Sequence, residues 1–416
     1  MNPAPAERMG RIYCPDCGLA QTLPPLPAHS VAECGRCGAV LLRRIPGGAG
    51  AALALALAAA LLLLPANLEP LMVVRFEGAE RYNLTATGAW ALWNDGYPGL
   101  GTLVGLFSVA APILWLAALL PSLTLVLRGR RLSDGTRSWL GWLFRQSLRL
   151  RPWAMTEVYL LGSVVAYTRV RDVAQVEIGF GGWAFLAFAL TVLAVDAVLD
   201  PRAVWRAIGP GSVAGSETGD VIDCHGCGLM APLTVEGARC PRCGTALHWR
   251  RPDAFNRTAA LTAAAFFLYI LTNILPILSI VRFGRDEPST IFAGVRELIQ
   301  LGLWPLAAIV FVASIAVPLI KLSGLTWFLL AIRRGFTRQV MLRTRLYRFI
   351  EGIGRWSNID VFMISILTAL VQFGSLTRVE AKPGAVAFAA VVVLTMLASR
   401  SFDARLMWDV VEGSDE

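Results

Sequence analysis

The stretch Glu33–Pro70 reads ECGRCGAVLLRRIPGGAGAALALALAAALLLLPANLEP, and its reading decides the architecture. It opens on a Cys-x-x-Cys pair, Cys34 and Cys37, and crosses the two arginines Arg43 and Arg44. It then runs apolar from near Ala49 and ends on Asn67-Leu-Glu-Pro70. A spanning helix needs roughly 20 mostly apolar residues, so this stretch joins a small cysteine-bearing unit to a membrane segment.

The rest of the 416 residues agree. Hydrophobic residues make up 56% and charged residues 16%, against roughly 25% charged in a soluble domain. One soluble core cannot hide that much apolar surface, and disorder requires the opposite composition. The chain reads as an all-α polytopic membrane protein carrying small polar attachments. Its net charge of +9 comes almost wholly from arginine, with Lys321 and Lys382 the two lysines. Neither lysine follows a glycine, which excludes a GxxxxGK[ST] phosphate loop.

Eight cysteines form four Cys-x-x-Cys pairs. Cys14 and Cys17 precede Cys34 and Cys37, with 16 residues between the inner cysteines; Cys224 and Cys227 precede Cys240 and Cys243, with 12 between. That spacing predicts two small β-type four-cysteine zinc ribbons. A glycine follows each pair (Gly18, Gly38, Gly228, Gly244), where a knuckle turn wants positive φ. Four thiolates suit zinc, with rubredoxin-like iron the chemical alternative. Disulfides would require an oxidising compartment. The first apolar run begins only near Ala49, so no secretory signal is expected before Cys14 and the ribbon is expected in the cytoplasm.

The chain also repeats. Shifted by 203 residues, Trp153–Trp205 falls on Trp356–Trp408 without a gap. Trp153, Glu177, Asp200, Arg202 and Trp205 meet Trp356, Glu380, Asp403, Arg405 and Trp408, and Glu157 meets Asp360. Upstream, Asn67 to Pro70 resembles Asn273 to Pro276, and Ser108 to Pro112 resembles Ser314 to Pro318. Each half is a ribbon followed by one membrane unit. The expected units are ribbon 1 over 1–48, a four-span unit over 49–208, a Gly/Ser-rich linker over 209–220, ribbon 2 over 221–252 and a second four-span unit over 253–416. Eight spans are expected, near 49–72, 99–127, 154–171 and 181–200, then 257–281, 303–332, 357–376 and 385–402. An even number per half makes the repeat parallel.

Segments 128–151 and 333–355 hold seven arginines each, while 73–98 and 282–302 balance their few arginines with acids. The positive-inside rule places the ribbons, the arginine segments and both termini in the cytoplasm. Topology thus accounts for the basic excess, which weakens a nucleic-acid reading. In both arginine segments rings and leucines interleave with the arginines, as in helices lying on the inner leaflet.

Alternation of CPxCG-type ribbons with four-span units, with Asn-x-x-Pro in the first span, resembles the paraquat-inducible protein A family. Cys14-Pro-Asp-Cys17-Gly18, Cys34 to Cys37, Asn67 to Pro70, Ser314 to Pro318 with Lys321, and Trp356 to Asp360 carry the likeness, which covers nearly the whole chain. In the second ribbon His225 stands where the first has Pro15, and the inter-knuckle loop is shorter. The resemblance implies a protein of the bacterial inner membrane. It also implies a tunnel-forming partner with mammalian-cell-entry (MCE) domains, membrane phospholipids as cargo, and no enzymatic activity.

Among candidate site residues Lys321 stands out. It lies about 12 residues, roughly 18 Å, before the arginine end of its span. A lysine at such depth costs roughly 2.5–3.5 kcal/mol unless paired or wetted. Its first-half counterpart is about Trp115, and Asp360, Ser314, Ser323 and Thr326 are candidate partners. Asp360 and Glu157 begin their spans, where acids also suit a helix N-terminus. Glu69, between Asn67 and Pro70, and Asn273 in the second half mark helix breaks expected to line a cavity. Asp196 has Ser399 opposite it and reads as a span-end residue, while His29, His225 and His248 read as structural. The leading function is a lipid-handling transporter subunit. The alternative is a zinc- or redox-sensing membrane protein of the envelope stress response. A membrane-anchored nucleic-acid binder is disfavoured, because 18–33 contains no Lys or Arg and 228–239 one Arg.

Overall fold

The computed structural model describes residues 11–24, 26–27, 29–45, 47–76, 78–129, 133–171, 174–209, 221–232, 235–282, 285–300, 302–372 and 377–413. Of the expected linker 209–220, all but Gly209 lies outside the described residues.

Ribbon 1 is two short hairpins, β1 (Arg11–Tyr13) with β2 (Ala20–Thr22) and β3 (Val31–Glu33) with β4 (Val40–Arg43). The first membrane unit follows as α1 (Gly48–Leu68), the hairpin β5 (Met72–Phe76) and β6 (Ala79–Asn83), and α2 (Thr87–Asn94). It continues through α3 (Pro98–Gly105), a π-turn at Leu106–Ala110, α4 (Ala111–Leu127), α5 (Asp134–Leu150), α6 (Thr156–Val170), β7 (Gln175–Ile178), α7 (Phe180–Val198) and α8 (Pro201–Ile208). Ribbon 2 contains β8 (Val221–Asp223) and β9 (Met230–Pro232). The second unit repeats the order as α9 (Ala254–Ile274), β10 (Leu278–Arg282), β11 (Arg285–Ser289), α10 (Ile291–Gln300) and α11 (Trp304–Phe311). A π-turn at Val312–Ala316, α12 (Val317–Arg333), α13 (Val340–Ile353), α14 (Ile359–Leu370), β12 (Thr377–Ala381), α15 (Pro383–Ser401) and α16 (Leu406–Glu412) complete it.

One expectation needs correction. The chain is mostly helical but not all-α beyond its ribbons: each unit carries a three-stranded antiparallel sheet, β6-β5-β7 and β11-β10-β12. In β5, Arg75 bridges Glu80 at 2.7 Å and Glu177 at 2.5 Å. The third strand comes from about 100 residues away, so no local pattern announces the sheet. The eight expected spans are met in part. Among the described residues six helical stretches are long and apolar enough to cross a membrane: Gly48–Leu68, Pro98–Leu127, Phe180–Val198, Ala254–Ile274, Trp304–Arg333 and Pro383–Glu412. The 15 residues of α6 and the 12 of α14 reach about 22 and 18 Å, short of a hydrocarbon core of about 30 Å. Tertiary packing explains their length. They lie against each other in the middle of the molecule, where 11 of the 12 residues of α14 are buried and lipid need not be spanned. Both still carry the chain from the ribbon end to the sheet end.

Repeat symmetry is visible in contacts. Met155 and Asn358, separated by 203 residues, touch across the axis, with Asn358 Nδ2 2.9 Å from Met155 Sδ. In each half the first and last long helices form the most extensive pair, α1 on α7 and α9 on α15. Their contact faces are small: Ala52, Ala56, Ala59 and Ala66 in one, Thr258, Thr262, Ala265 and Thr272 in the other, at steps of three, four and seven. Gly181 and Gly384, also 203 apart, let the backbones touch at the sheet end. A Cβ there would lie 2.2 Å from the Glu69 carbonyl and 2.4 Å from that of Pro276. The π-turns occur at matching places because Pro112 and Pro318 would drive their rings into the carbonyls of Ser108 and Ser314, four residues earlier.

Candidate functional site

Each ribbon brings four sulfurs together. Sγ atoms lie 3.5 Å apart for Cys14–Cys37, 3.6 Å for Cys17–Cys34, 3.5 Å for Cys224–Cys243 and 3.6 Å for Cys227–Cys240. A disulfide would bring sulfurs to about 2.05 Å, whereas a tetrahedron with metal–sulfur bonds of about 2.3 Å has edges of about 3.8 Å. All eight cysteines are buried, and each set lies within 4.8 Å mutually. The two sets are therefore able to hold one metal ion each. Four knuckles share one geometry: the amide after the second cysteine donates to the carbonyl of the first, from Gly18, Gly38, Gly228 and Gly244, all at φ between 65° and 73°. Hydrogen bonding between sulfurs splits their acidities, holding the Cys17 thiol down through Cys14 and pushing Cys14 up. Four thiols this close share negative charge, as a bound cation requires. Gln21 Nε2 donates to Cys34 Sγ at 3.1 Å. His225 reaches the His248 carbonyl at 3.1 Å and is not in the sulfur set.

The ribbons seat reciprocally. Ribbon 1 packs its cysteine core on Trp408, Val340 and Met341 of the second unit, with Arg36 4.3 Å over Trp408 and Arg348 bonded to the Cys37 carbonyl at 2.6 Å. Ribbon 2 joins the core of the first unit through Leu140, Phe144, Trp205 and Ile208, and Arg145 bonds Thr245 at 3.0 Å. These are repeat equivalents: Trp205 matches Trp408, Arg145 matches Arg348, and Arg36 and Arg242 occupy the same knuckle position, each donating to the carbonyl of the second cysteine, Cys17 or Cys227. Arg405, 3% exposed, touches both ribbons, with two bonds of 2.8 Å to Asp223 and one of 3.2 Å to the Pro15 carbonyl. Its burial was legible only as a matched Asp-x-Arg-x-x-Trp, at 200–205 and 403–408.

The second set of candidate residues lies among the helices. Lys321 is fully buried, its Nζ 3.4 Å from the Gly354 carbonyl. It makes no salt bridge among the described residues. Asp360 is also buried; its Oδ2 accepts from Ser314 Oγ in the π-turn, and its Oδ1 has no hydrogen-bond partner among the described residues. The expected Lys321–Asp360 pairing is thus not formed, and Ser323 and Thr326 bond carbonyls of their own helix. Glu157, matched to Asp360, instead pairs with Arg151, which also holds Asp196 at 2.6 Å. Asp196 is thereby more than a span-end residue. Arg151 also lies 5.2 Å over Trp115. Trp115 stands where the second half has Lys321, and Arg151 where it has Gly354. Both halves place a cation at one spot, from the helix-leading turn in the first and from within the span in the second. Asn67 and Asn273 donate Nδ2 to the Leu63 and Tyr269 carbonyls at 2.9 and 2.8 Å, closing the last helical turn. Glu69 follows as the extended C-cap residue of α1.

Fold and site define a class: a duplicated multi-pass membrane protein with two four-cysteine ribbons able to hold a metal ion each and ionisable groups buried among its helices. Within that class the family model for paraquat-inducible protein A matches residues 50–209 and again 255–412. The chain belongs to the paraquat-inducible protein A family. It is 31% identical over 407 residues to the intermembrane transport protein PqiA of Escherichia coli (strain K12), covering 96% of this chain and 95% of that protein. It is 31% identical over 412 residues to the lipophilic envelope-spanning tunnel protein A of the same strain, covering 97% and 92%. A probable intermembrane transport protein of Haemophilus influenzae is 26% identical over 409 residues, covering 96% of each. No solved structure matches significantly.

Proposed function

We propose that this chain is the inner-membrane subunit of an intermembrane lipid transport system, loading or receiving phospholipid at a periplasm-spanning tunnel of MCE-domain proteins. Relatives matched end to end and named for intermembrane transport carry the reading. In this reading the ribbons, the arginine segments and both termini are cytoplasmic, and the two sheets face the periplasm. All eight helical passes count as crossings, α6 and α14 being shielded ones. The domain limits remain 1–48, 49–208, 209–220, 221–252 and 253–416. Each ribbon holds one zinc in a structural role, ordering a unit too small to keep a core otherwise.

Lys321, Asp360 and Ser314, with Glu157, Glu69, Asn67 and Asn273, are the residues assigned to the lipid cavity or polar relay. An amine without a carboxylate partner and a carboxylate oxygen without a donor are costly in low dielectric. Groups retained at that cost suit contact with a polar headgroup or proton transfer. Burial of all eight cysteines argues against the redox-sensing alternative, since an exposed thiolate is what oxidants reach. The deciding experiment purifies the tagged chain from membranes and analyses what accompanies it. Phospholipid in a protected site together with an MCE-domain protein is expected; a clean preparation lacking both overturns the assignment.

A further inference from the structure

Between the two repeats, at the ribbon end, lies a cleft of about 430 Å³ lined by Arg151, Asp196, Glu351, Arg355, Ser399 and Arg400 among others. That volume is typical of small-ligand sites, roughly 300–1,000 Å³. Four arginines border it, including Arg348. Two are engaged: Arg151 by Glu157 and Asp196, and Arg348 by the Cys37 carbonyl and Asp16. The other two form no salt bridge among the described residues. Among the described residues the Arg355 side chain has no hydrogen bond or ion pair, and the Arg400 guanidinium lies 4.9 Å over the Trp153 ring. Arg151 is shared between Glu157 and Asp196, and Glu351 faces Arg251, Asp16 and Arg400. Gly354 lines the cleft, and its carbonyl faces the Lys321 amine at 3.4 Å, so a further cation lies beneath the floor.

Two guanidinium groups that repel each other across a cleft are stabilised by a shared anion, and the guanidinium fork matches phosphate oxygens two at a time. Trp153 presets one of them by its ring. Trp356 and Phe349, 41% and 55% exposed beside this end, mark the depth of an interface where headgroups lie. We propose that this cleft is a binding site for a phosphate-ester anion, held between Arg355 and Arg400. The site does not rest on the transport reading, because a chain that only binds lipid would hold the same anion.

The test uses the purified full-length chain in mild detergent. One arm adds phosphatidylglycerol in mixed micelles; separate arms add inorganic phosphate and glycerophosphoglycerol. Native mass spectrometry counts bound molecules. One saturable phosphate-bearing ligand per chain is expected. Arg355→Gln should weaken it roughly tenfold and Arg355→Gln with Arg400→Gln at least roughly 30-fold, with ribbon metal content and oligomeric state unchanged. Lysine at both positions should retain part of the binding. Lipid that millimolar soluble esters fail to displace identifies a headgroup as the source, and displacement identifies a soluble ester; both support the site. Absence of saturable binding in every arm, or equal binding by Arg355→Gln, whose side chain makes no hydrogen bond or ion pair among the described residues, overturns it.

Discussion

A buried cation can be anchored or left almost bare, and this molecule does both at one repeated position. In the first half the Arg151 guanidinium, 8% exposed, meets Glu157, Asp196 and the Ala154 carbonyl. Removing it strands acids away from water, so Arg151→Ala should cost about 3 kcal/mol of stability, read as a lowered melting temperature of the detergent-solubilised protein. In the second half Lys321 has one long contact to the Gly354 carbonyl. Lys321→Ala should therefore fold and insert at normal abundance, because losing an unpaired deep charge relieves a cost of roughly 2.5–3.5 kcal/mol. It should nonetheless abolish envelope lipid-barrier function, scored as sensitivity to detergent and hydrophobic drugs in a strain dependent on this protein. Full barrier function with wild-type membrane levels would reduce Lys321 to a structural residue. The sequence marks Lys321 by its depth, but nothing local marks Arg151, because its two acids lie 6 and 45 residues further along the chain.

At the scale of elements, close helix pairs and metal ribbons are the parts most open to perturbation. Gly181→Val and Gly384→Val each push a side chain into carbonyl oxygen and should separate α1 from α7 or α9 from α15. A loss of more than about 2 kcal/mol is expected from overpacking at either site, measured by thermal unfolding; Gly50→Val, with nothing within 4 Å of its Cβ, is the control. The ribbons give a less intuitive expectation. Because ribbon 1 rests on α13 and α16, Cys14→Ser with Cys37→Ser should release the ribbon end of the second unit, distant in sequence. Hydrogen exchange should rise around Thr344 and Trp408 more than around Leu140 and Trp205, and the matching ribbon 2 variant should reverse the pattern. Equal exchange at both places would refute reciprocal seating.

For the whole molecule, two metal ions per chain are expected, so elemental analysis should return close to two zinc, and chelation should destabilise both repeats together through Arg405. A single cysteine at Ser133, on a suitable cysteine-free background, should react only with reagents that enter the cell; labelling from outside intact cells would invert the topology.

The sequence by itself determined the ribbons, the duplication and the long spans, since each is written in local chemistry: Cys-x-x-Cys-Gly knuckles, an uninterrupted 203-residue shift, and apolar runs of membrane length. It marked 154–171 and 357–376 as spans like the others, because apolar composition does not tell a helix facing lipid from one facing other helices. Tertiary structure alone decided that α6 and α14 are short and central, that Asp360 takes Ser314 rather than Lys321, and that each ribbon serves the opposite unit. The reason is physical: these outcomes turn on contacts between residues far apart in the chain, and a one-dimensional pattern carries the periodicity of an element but not the identity of its neighbour.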